Sequence, residues 1–332
     1  MIDTKPKKLI LYLSVLLLTA CSNNNSKKEP IIQPALYTQF QPDTSSLPSN
    51  DSGNQIRYGI QLILHTAYYL GPEGTRGKHL GNKMNCTNCH LDAGTRLYGL
   101  NFYNTYARYP QYRGRENAIL SLADRVNNCI ERPHNGVAID KKSKEMKAIV
   151  AYMKWLNDHT KNIPDIKNHK DLLLNLPDRP ANPDTGAVIY AFNCRSCHGA
   201  DGKGLLNADS TSYVYPPLWG KDSYQSGSSM HRVLKSARFI KANMPHKLAM
   251  WNKPVLTDEQ AIDVAAFINN DRIHKRPEKK ENNTGDYPVY KMKPIDYDLG
   301  PYEDTFTEIQ HKFGPYKPII KYHEEKKLPL VF

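Results

Sequence analysis

Cysteine and histidine stand together twice in this chain, as Cys86-Thr87-Asn88-Cys89-His90 and as Cys194-Arg195-Ser196-Cys197-His198. In an exported protein this spacing is the attachment site of a c-type haem: two thioethers hold the porphyrin and the adjacent imidazole takes the iron. The pair predicts two covalently bound c-type haems, on Cys86 and Cys89 with His90 and on Cys194 and Cys197 with His198. Zinc would want a second Cys or His pair at finger-like spacing, which neither motif has. A Cys-x-x-Cys disulfide would leave the His after each copy without a role. Two haems give redox chemistry with room for two electrons.

Each iron wants a second axial ligand, whose identity sets its potential. For the second haem, Asn243-Met244-Pro245 lies 46 residues after His198 and offers a neutral thioether that favours ferrous iron. Met230 and Met250 compete with Met244, and His231 and His246 are weaker competitors. In the first half no methionine takes the equivalent place. Cys129, 39 residues after His90, stands there instead, with His134 and Met146 as alternatives. A thiolate is anionic, stabilises ferric iron and lowers the potential; the plain reading of Cys129 is a buried, inert thiol. From Met84 to Asp140 every basic residue is Arg (Arg96, Arg108, Arg113, Arg115, Arg125, Arg132). Arg125 and Cys129 are four apart and share a helical face. Guanidinium groups fork onto oxyanions as ammonium groups cannot, so an oxyanion pocket beside the lone thiol is expected.

The elements that position these residues repeat. A helix precedes each motif, over Gly59 to Leu70 with Ile60, Ile63, Leu64 and Ala67 on one stripe, and over Thr185 to Phe192. An aromatic-proline step follows each, at Tyr109-Pro110 and at Tyr215-Pro216-Pro217. Carbonyls of Pro110 and Pro217 are candidates to accept the proximal imidazole's other N–H, which fixes the ring. Asn117 to Arg132 reads as a helix carrying Cys129. Each half closes with an amphipathic helix, over Ser143 to His159 and from a capping-box pattern at Thr257-Asp258-Glu259-Gln260. Helix, haem motif, loop, ligand and helix is the plan of small class I cytochromes c. The expected fold is mainly α: a first cytochrome c-like domain over 51–160, a linker over 161–183, a second over 184–272, and an irregular wrapping extension over 273–332.

Export fits the N-terminus. Lys5, Lys7 and Lys8 precede the short apolar run Leu9 to Leu18, and Leu18-Thr19-Ala20-Cys21 resembles a bacterial lipobox. Residues 1–20 are read as a lipoprotein signal peptide, Cys21 as the lipidated residue anchoring the protein to a bacterial membrane from the periplasm, and 21–50 as a flexible tether. An ordinary secretory signal with a chance cysteine is the alternative. Of six cysteines, lipid and haem take five and leave Cys129, an anomaly in an oxidising compartment. The formal net charge of +12 favours acidic partners and anionic small molecules. Nucleic acid is a poor fit for a haem lipoprotein.

The stretch Ser121-Leu122-Ala123-Asp124-Arg125-Val126-Asn127-Asn128-Cys129-Ile130-Glu131-Arg132 between two haem motifs, followed by Phe239-Ile240-Lys241-Ala242-Asn243-Met244-Pro245, resembles the dihaem thiosulfate dehydrogenases over roughly Asp51 to Asp271. The resemblance implies an enzyme that interconverts two thiosulfates and tetrathionate, with Cys129 as distal ligand and catalytic thiol at the first haem. Arg115 and Arg125 match family arginines that hold substrate, and Met244 matches the second haem's distal ligand. Some members carry Lys before this Met; Asn243 takes that place here, which implies stable Met ligation. A small cytochrome c or similar redox partner is implied as acceptor. A non-catalytic dihaem electron carrier is the alternative, leaving Cys129 and the arginines idle. A dihaem peroxidase is a third reading.

Overall fold

The computed structural model describes residues 1, 43–163, 172–278 and 286–332. The signal peptide, the lipobox and most of the tether lie outside the described residues, as does the middle of the linker. From Asp43 onward the tether's last residues are docked: Leu47 is buried and Arg57 donates to the Pro48 carbonyl at 3.0 Å.

The first half opens with α1 (Asp51–Leu64), capped by the Asn50 side chain, and α2 (Thr66–Leu70). The expected single helix is thus broken at His65, whose φ of −127° is not helical. Its buried stripe is Gly59, Leu62, Ile63, Thr66, Ala67 and Leu70, one step off the expected one, with Ile60 and Leu64 only half buried. Two short strands, β1 (Gln111–Arg113) and β2 (Ala118–Leu120), form an antiparallel hairpin. The helix expected from Asn117 therefore starts later, as α3 (Leu122–Glu131). Ser121 caps it by accepting from the Asp124 N–H while the Asp124 carboxylate accepts from the Ser121 N–H. The half closes with α4 (Lys144–Thr160), capped by Ser143.

The second half repeats the plan: α5 (Pro183–Asn193), the short α6 (Arg195–His198), a small hairpin of β3 (Leu205–Leu206) and β4 (Tyr213–Tyr215), then α7 (Val233–Asn243) and α8 (Asp258–Ile268). Thr257 and Gln260 form the expected capping box. In each half the first helix crosses the last at a glycine. A Cβ on Gly59 would stand 2.1 Å from the Ala148 carbonyl oxygen, and one on Gly186 2.1 Å from that of Asp263. Only glycine lets the backbones approach this closely, and the same device in both halves is the structural form of the sequence repeat.

Beyond α8 the chain is less irregular than its composition suggests. It forms α9 (Glu308–Phe313), capped by Thr307, and α10 (Tyr316–Glu325). Gly314, with φ of +79°, turns the chain between them, and Tyr316, Ile319 and His323 recur along one face and are buried. This extension packs into the core of the second half, where Ile295, Tyr316 and Ile319 join Leu234, Ile240 and Ile262. Asp296, fully buried, accepts from Arg232 Nε at 2.8 Å and from the Leu234 N–H at 2.9 Å. Lys312 places its ammonium 2.7 Å from Asp298 and 2.9 Å from His231 Nε2, so the acidic and imidazole groups gathered there already hold a cation of the protein's own.

The halves are hydrogen-bonded to each other. Tyr213 N–H donates to the Lys83 carbonyl at 3.2 Å, and Gln225 Nε2 to that of Glu131 at 2.6 Å. The described residues from Asp43 onward belong to one compact unit. No helix among the described residues is long and apolar enough to cross a membrane.

Candidate functional site: two haem motifs and an arginine-lined cavity

A cavity of about 690 Å³ opens in the first half and is lined by Cys86, Cys89, His90 and Cys129 together. α2, α3, α4 and the loops after the haem motif supply most of its wall. His90 donates through Nδ1 to the Leu100 carbonyl, so the acceptor is Leu100, ten residues on, and not Pro110. A tight run of turns over Leu91–Leu100, with Asp92 and Ala93 in left-handed conformation, folds that carbonyl back onto the ring. With Nδ1 committed, Nε2 is left for iron. In the second half His198 Nδ1 meets the Pro216 carbonyl at 2.8 Å; the expected aromatic-proline step supplies the acceptor, one residue before Pro217.

Cys129 lines the same cavity as the haem thiols. Arg125 Nη1 donates to its Sγ at 3.1 Å, as the four-residue spacing on α3 predicts, and the sulfur is in hydrogen-bonding reach of the His90 ring. Burial pushes this thiol up, but Arg125, His90 and Arg132 outweigh it and bring it down to about 6. Cys86 and Cys89 have no such cation, and burial pushes each up to about 12. Among three thiols in one cavity, Cys129 is the one held as thiolate at neutral pH.

The cavity is strongly basic. Arg108, Arg113, Arg115, Arg125 and Arg132 line it from the first half, and Arg232, Lys235 and Arg238 from the second. Arg132 Nη2 reaches Glu116 at 3.1 Å. Arg115, expected beside the substrate, has an ion-pair partner in the extension: Nε and Nη2 both donate to Asp286 Oδ2, at 2.9 and 2.6 Å. Tyr287 also lines the cavity. Sequence reasoning missed Glu116, Asp286 and Tyr287. A carboxylate next to Arg115 in the chain was a usable signal for Glu116, whereas nothing local links Asp286 to an arginine 171 positions earlier.

The alternative ligands are dispersed. Met146 is buried in the α1–α4 core and faces another, shallower pocket. His134 does line the cavity, but its Nε2 sits 3.7 Å from Cys86 Sγ and burial pushes it down to about 4. Met230 lines the first cavity, Met250 is exposed, and His231 is bonded to Asp271 at 2.7 Å. Met244, just past α7, packs against the second-half core together with Cys194. Asn243 is fully buried and donates through Nδ2 to the Tyr98 and Phe239 carbonyls at 3.0 and 2.9 Å, while its Oδ1 is buried without a protein donor. His246 is close enough for its charge to act on His198.

The protein fits two haems. The four motif cysteines are free thiols, unpaired in spite of their spacing, and both proximal imidazoles are fixed through Nδ1. Trp251 Nε1 and Arg96 Nη1 are shut off from solvent without a protein acceptor. They lie in the neighbourhood of Tyr98 and His246, donors suited to a carboxylate such as a haem propionate.

Residues 76–160 match the family model described as SoxA/TsdA, cytochrome c domain, and residues 181–268 match cytochrome c oxidase, cbb3-type, subunit III. A thiosulfate dehydrogenase of Psychrobacter arcticus is 35% identical over 74% of this chain and 72% of its own. That of Allochromatium vinosum is 33% identical over 76% of this chain and 90% of its own. The chain belongs to the thiosulfate dehydrogenase family. Among solved structures, thiosulfate dehydrogenase (TsdBA) from Marichromatium purpuratum, in its as-isolated form, superposes with a TM-score of 0.63 at 32% identity over 73% of this chain. This chain spans half of that longer one. Two cytochrome c domains, mainly α, with two c-type haems are thereby this protein's architecture.

Proposed function

We propose that this protein is a dihaem oxidoreductase that interconverts two thiosulfates and tetrathionate, with Cys129 as its reactive thiol. The observation that carries the reading is the position of one sulfur: Cys129 Sγ lies 3.1 Å from Arg125 Nη1 and faces His90 in the cavity that holds Cys86 and Cys89. Cys86, Cys89 and His90 would hold the first haem with Cys129 as distal ligand, and Cys194, Cys197 and His198 the second with Met244. Bound haem supplies an iron at each site that takes up one electron.

The residues then divide the work. The Cys129 thiolate bonds to the outer sulfur of thiosulfate, giving Cys–S–S–SO₃⁻ and releasing two electrons. A second thiosulfate attacks the sulfane sulfur of that adduct, the one bonded to Cys129 Sγ; the Sγ–S bond breaks, tetrathionate leaves, and the thiolate is restored. The first step is the oxidation; the second is an exchange with no net electron transfer. Arg125 gives up a thiolate partner and gains a sulfonate, so its ion pairing persists through the cycle. Arg115 faces the same developing charge from the hairpin side. The sulfur would serve both as iron ligand and as nucleophile, so the two roles would alternate. Cys129 thiolate at the first haem and Met244 thioether at the second would set the first potential below the second, and a small cytochrome c or similar acceptor would take the electrons. Lipid on Cys21 would hold the protein on a bacterial membrane, facing the periplasm.

The test is thiosulfate-dependent ferricyanide reduction, run beside tetrathionate reduction with a reduced dye. Turnover in either direction is expected. Absence of both, with a near-infrared spectrum of Met ligation at both haems, would leave a plain electron carrier.

A further inference from the structure

The C-terminal extension lies beyond both family-model segments, which end at residue 268, yet it reaches the first cavity. Asp286 Oδ2 takes Arg115 Nε and Nη2 and also the Tyr297 hydroxyl, at 3.0 Å. The Tyr287 and Tyr297 rings, edge to face with centroids 5.0 Å apart, lie together on one side of the guanidinium, with Cζ at 5.9 and 5.8 Å from their centroids, and Tyr287 N–H donates to the Arg115 carbonyl at 2.8 Å. Arg115 is 8% exposed, and the Asp286 side chain is 10% exposed. The guanidinium is therefore fixed on one edge by a carboxylate and on one side by a pair of rings.

We infer that Asp286 is a positioning residue that orients Arg115 and offsets its charge, setting how tightly the cavity holds oxyanions. The identity of the anion rests on the proposed function; the charge device rests on the geometry alone. Three of the cavity's arginines each face an anionic partner: Arg125 the thiolate, Arg132 Glu116, and Arg115 Asp286. An unmatched Arg115 would bind a dianion more strongly and release a dianionic product more slowly. Its partner keeps the arginine aimed while weakening its pull, which suits a site that turns over one anion into another.

The experiment uses the full-length, haem-loaded protein and two variants, Asp286→Asn and Asp286→Glu. Sulfate, a dianion without a sulfane sulfur, is titrated by calorimetry, and kcat and KM for thiosulfate are measured in parallel. Asp286→Asn keeps an acceptor and loses the charge, so sulfate should bind about five- to tenfold tighter. KM should fall by a similar factor and kcat should fall with it, at unchanged haem spectrum. Asp286→Glu keeps the charge and should stay within about twofold of wild type for sulfate. Unchanged or weaker sulfate binding in Asp286→Asn, or the same change in both variants, would mean a structural clasp and overturn the inference. If Asp286→Asn yields no folded protein, Asp286→Glu decides: wild-type affinity supports the device and lost affinity overturns it. A wild type that binds sulfate but does not turn over thiosulfate would refute the proposed function and leave the charge device standing.

Discussion

At the residue scale the chemistry concentrates in Arg125 and Cys129. A thiol in this cavity with no cation beside it goes the way of Cys86 and Cys89, up to about 12, while Cys129 is brought down to about 6. Arg125→Ala removes the strongest opposing influence, so burial wins and the thiolate fraction at neutral pH falls. A hydrogen bond to a charged group is worth about 1.5–3 kcal/mol, which corresponds to a loss of roughly ten- to a hundredfold in kcat/KM for thiosulfate. Steady-state kinetics beside unchanged haem content check it. The haem attachment residues were legible because covalent chemistry demands a fixed local spacing. Cys129 was legible by subtraction, as the cysteine left over. The carbonyl that orients His90 was not: Leu100 reaches the ring through left-handed turns at Asp92 and Ala93, and residue type does not announce such a path.

At the element scale the site depends on where helices start and how closely they cross. α3 carries both Arg125 and Cys129 and begins at the Ser121 cap; Ser121→Ala should cost about 1 kcal/mol, seen as a lower melting temperature. Asp124, in the same cap, is held down to about 2 by Lys141 and Ser121. Its contribution is present above its ordinary value near 4 and is lost as pH falls from there toward 2. Gly59→Ala and Gly186→Ala should each destabilise by about 1–3 kcal/mol, because a methyl meets a carbonyl oxygen at 2.1 Å; chemical denaturation measures both. The repeat and the four principal helices were readable from apolar periodicity and caps. The hairpin before α3 was not, since Ala118–Leu120 continues the apolar pattern of the helix and only pairing with Gln111–Arg113 pulls it into a strand.

At the scale of the whole molecule, two similar halves and an extension act as one body. Asp296 lies at the joint, and removing one member of a buried pair leaves the other charge unpaired. Asp296→Ala should therefore cost about 3–5 kcal/mol and lower the denaturation midpoint measured by circular dichroism. The formal charge of +12 and the basic cavity make anion capture electrostatic, so kcat/KM for thiosulfate should fall as salt rises from 0.01 to 0.15 M, where the Debye length shrinks from about 30 to about 8 Å. The two-domain plan was legible from the repeated motif. The role of the extension was not, because its lysines, prolines and tyrosines gain their meaning only from Arg115 and Arg232, residues far away in the chain.

The proposed chemistry turns on a single sulfur, and Cys129→Gly tests it most directly. Thiosulfate-dependent ferricyanide reduction should vanish in a variant that still carries both haems and melts near the wild-type temperature. Wild-type turnover in that variant would contradict the account, since no thiolate would remain opposite His90 to carry the sulfane sulfur.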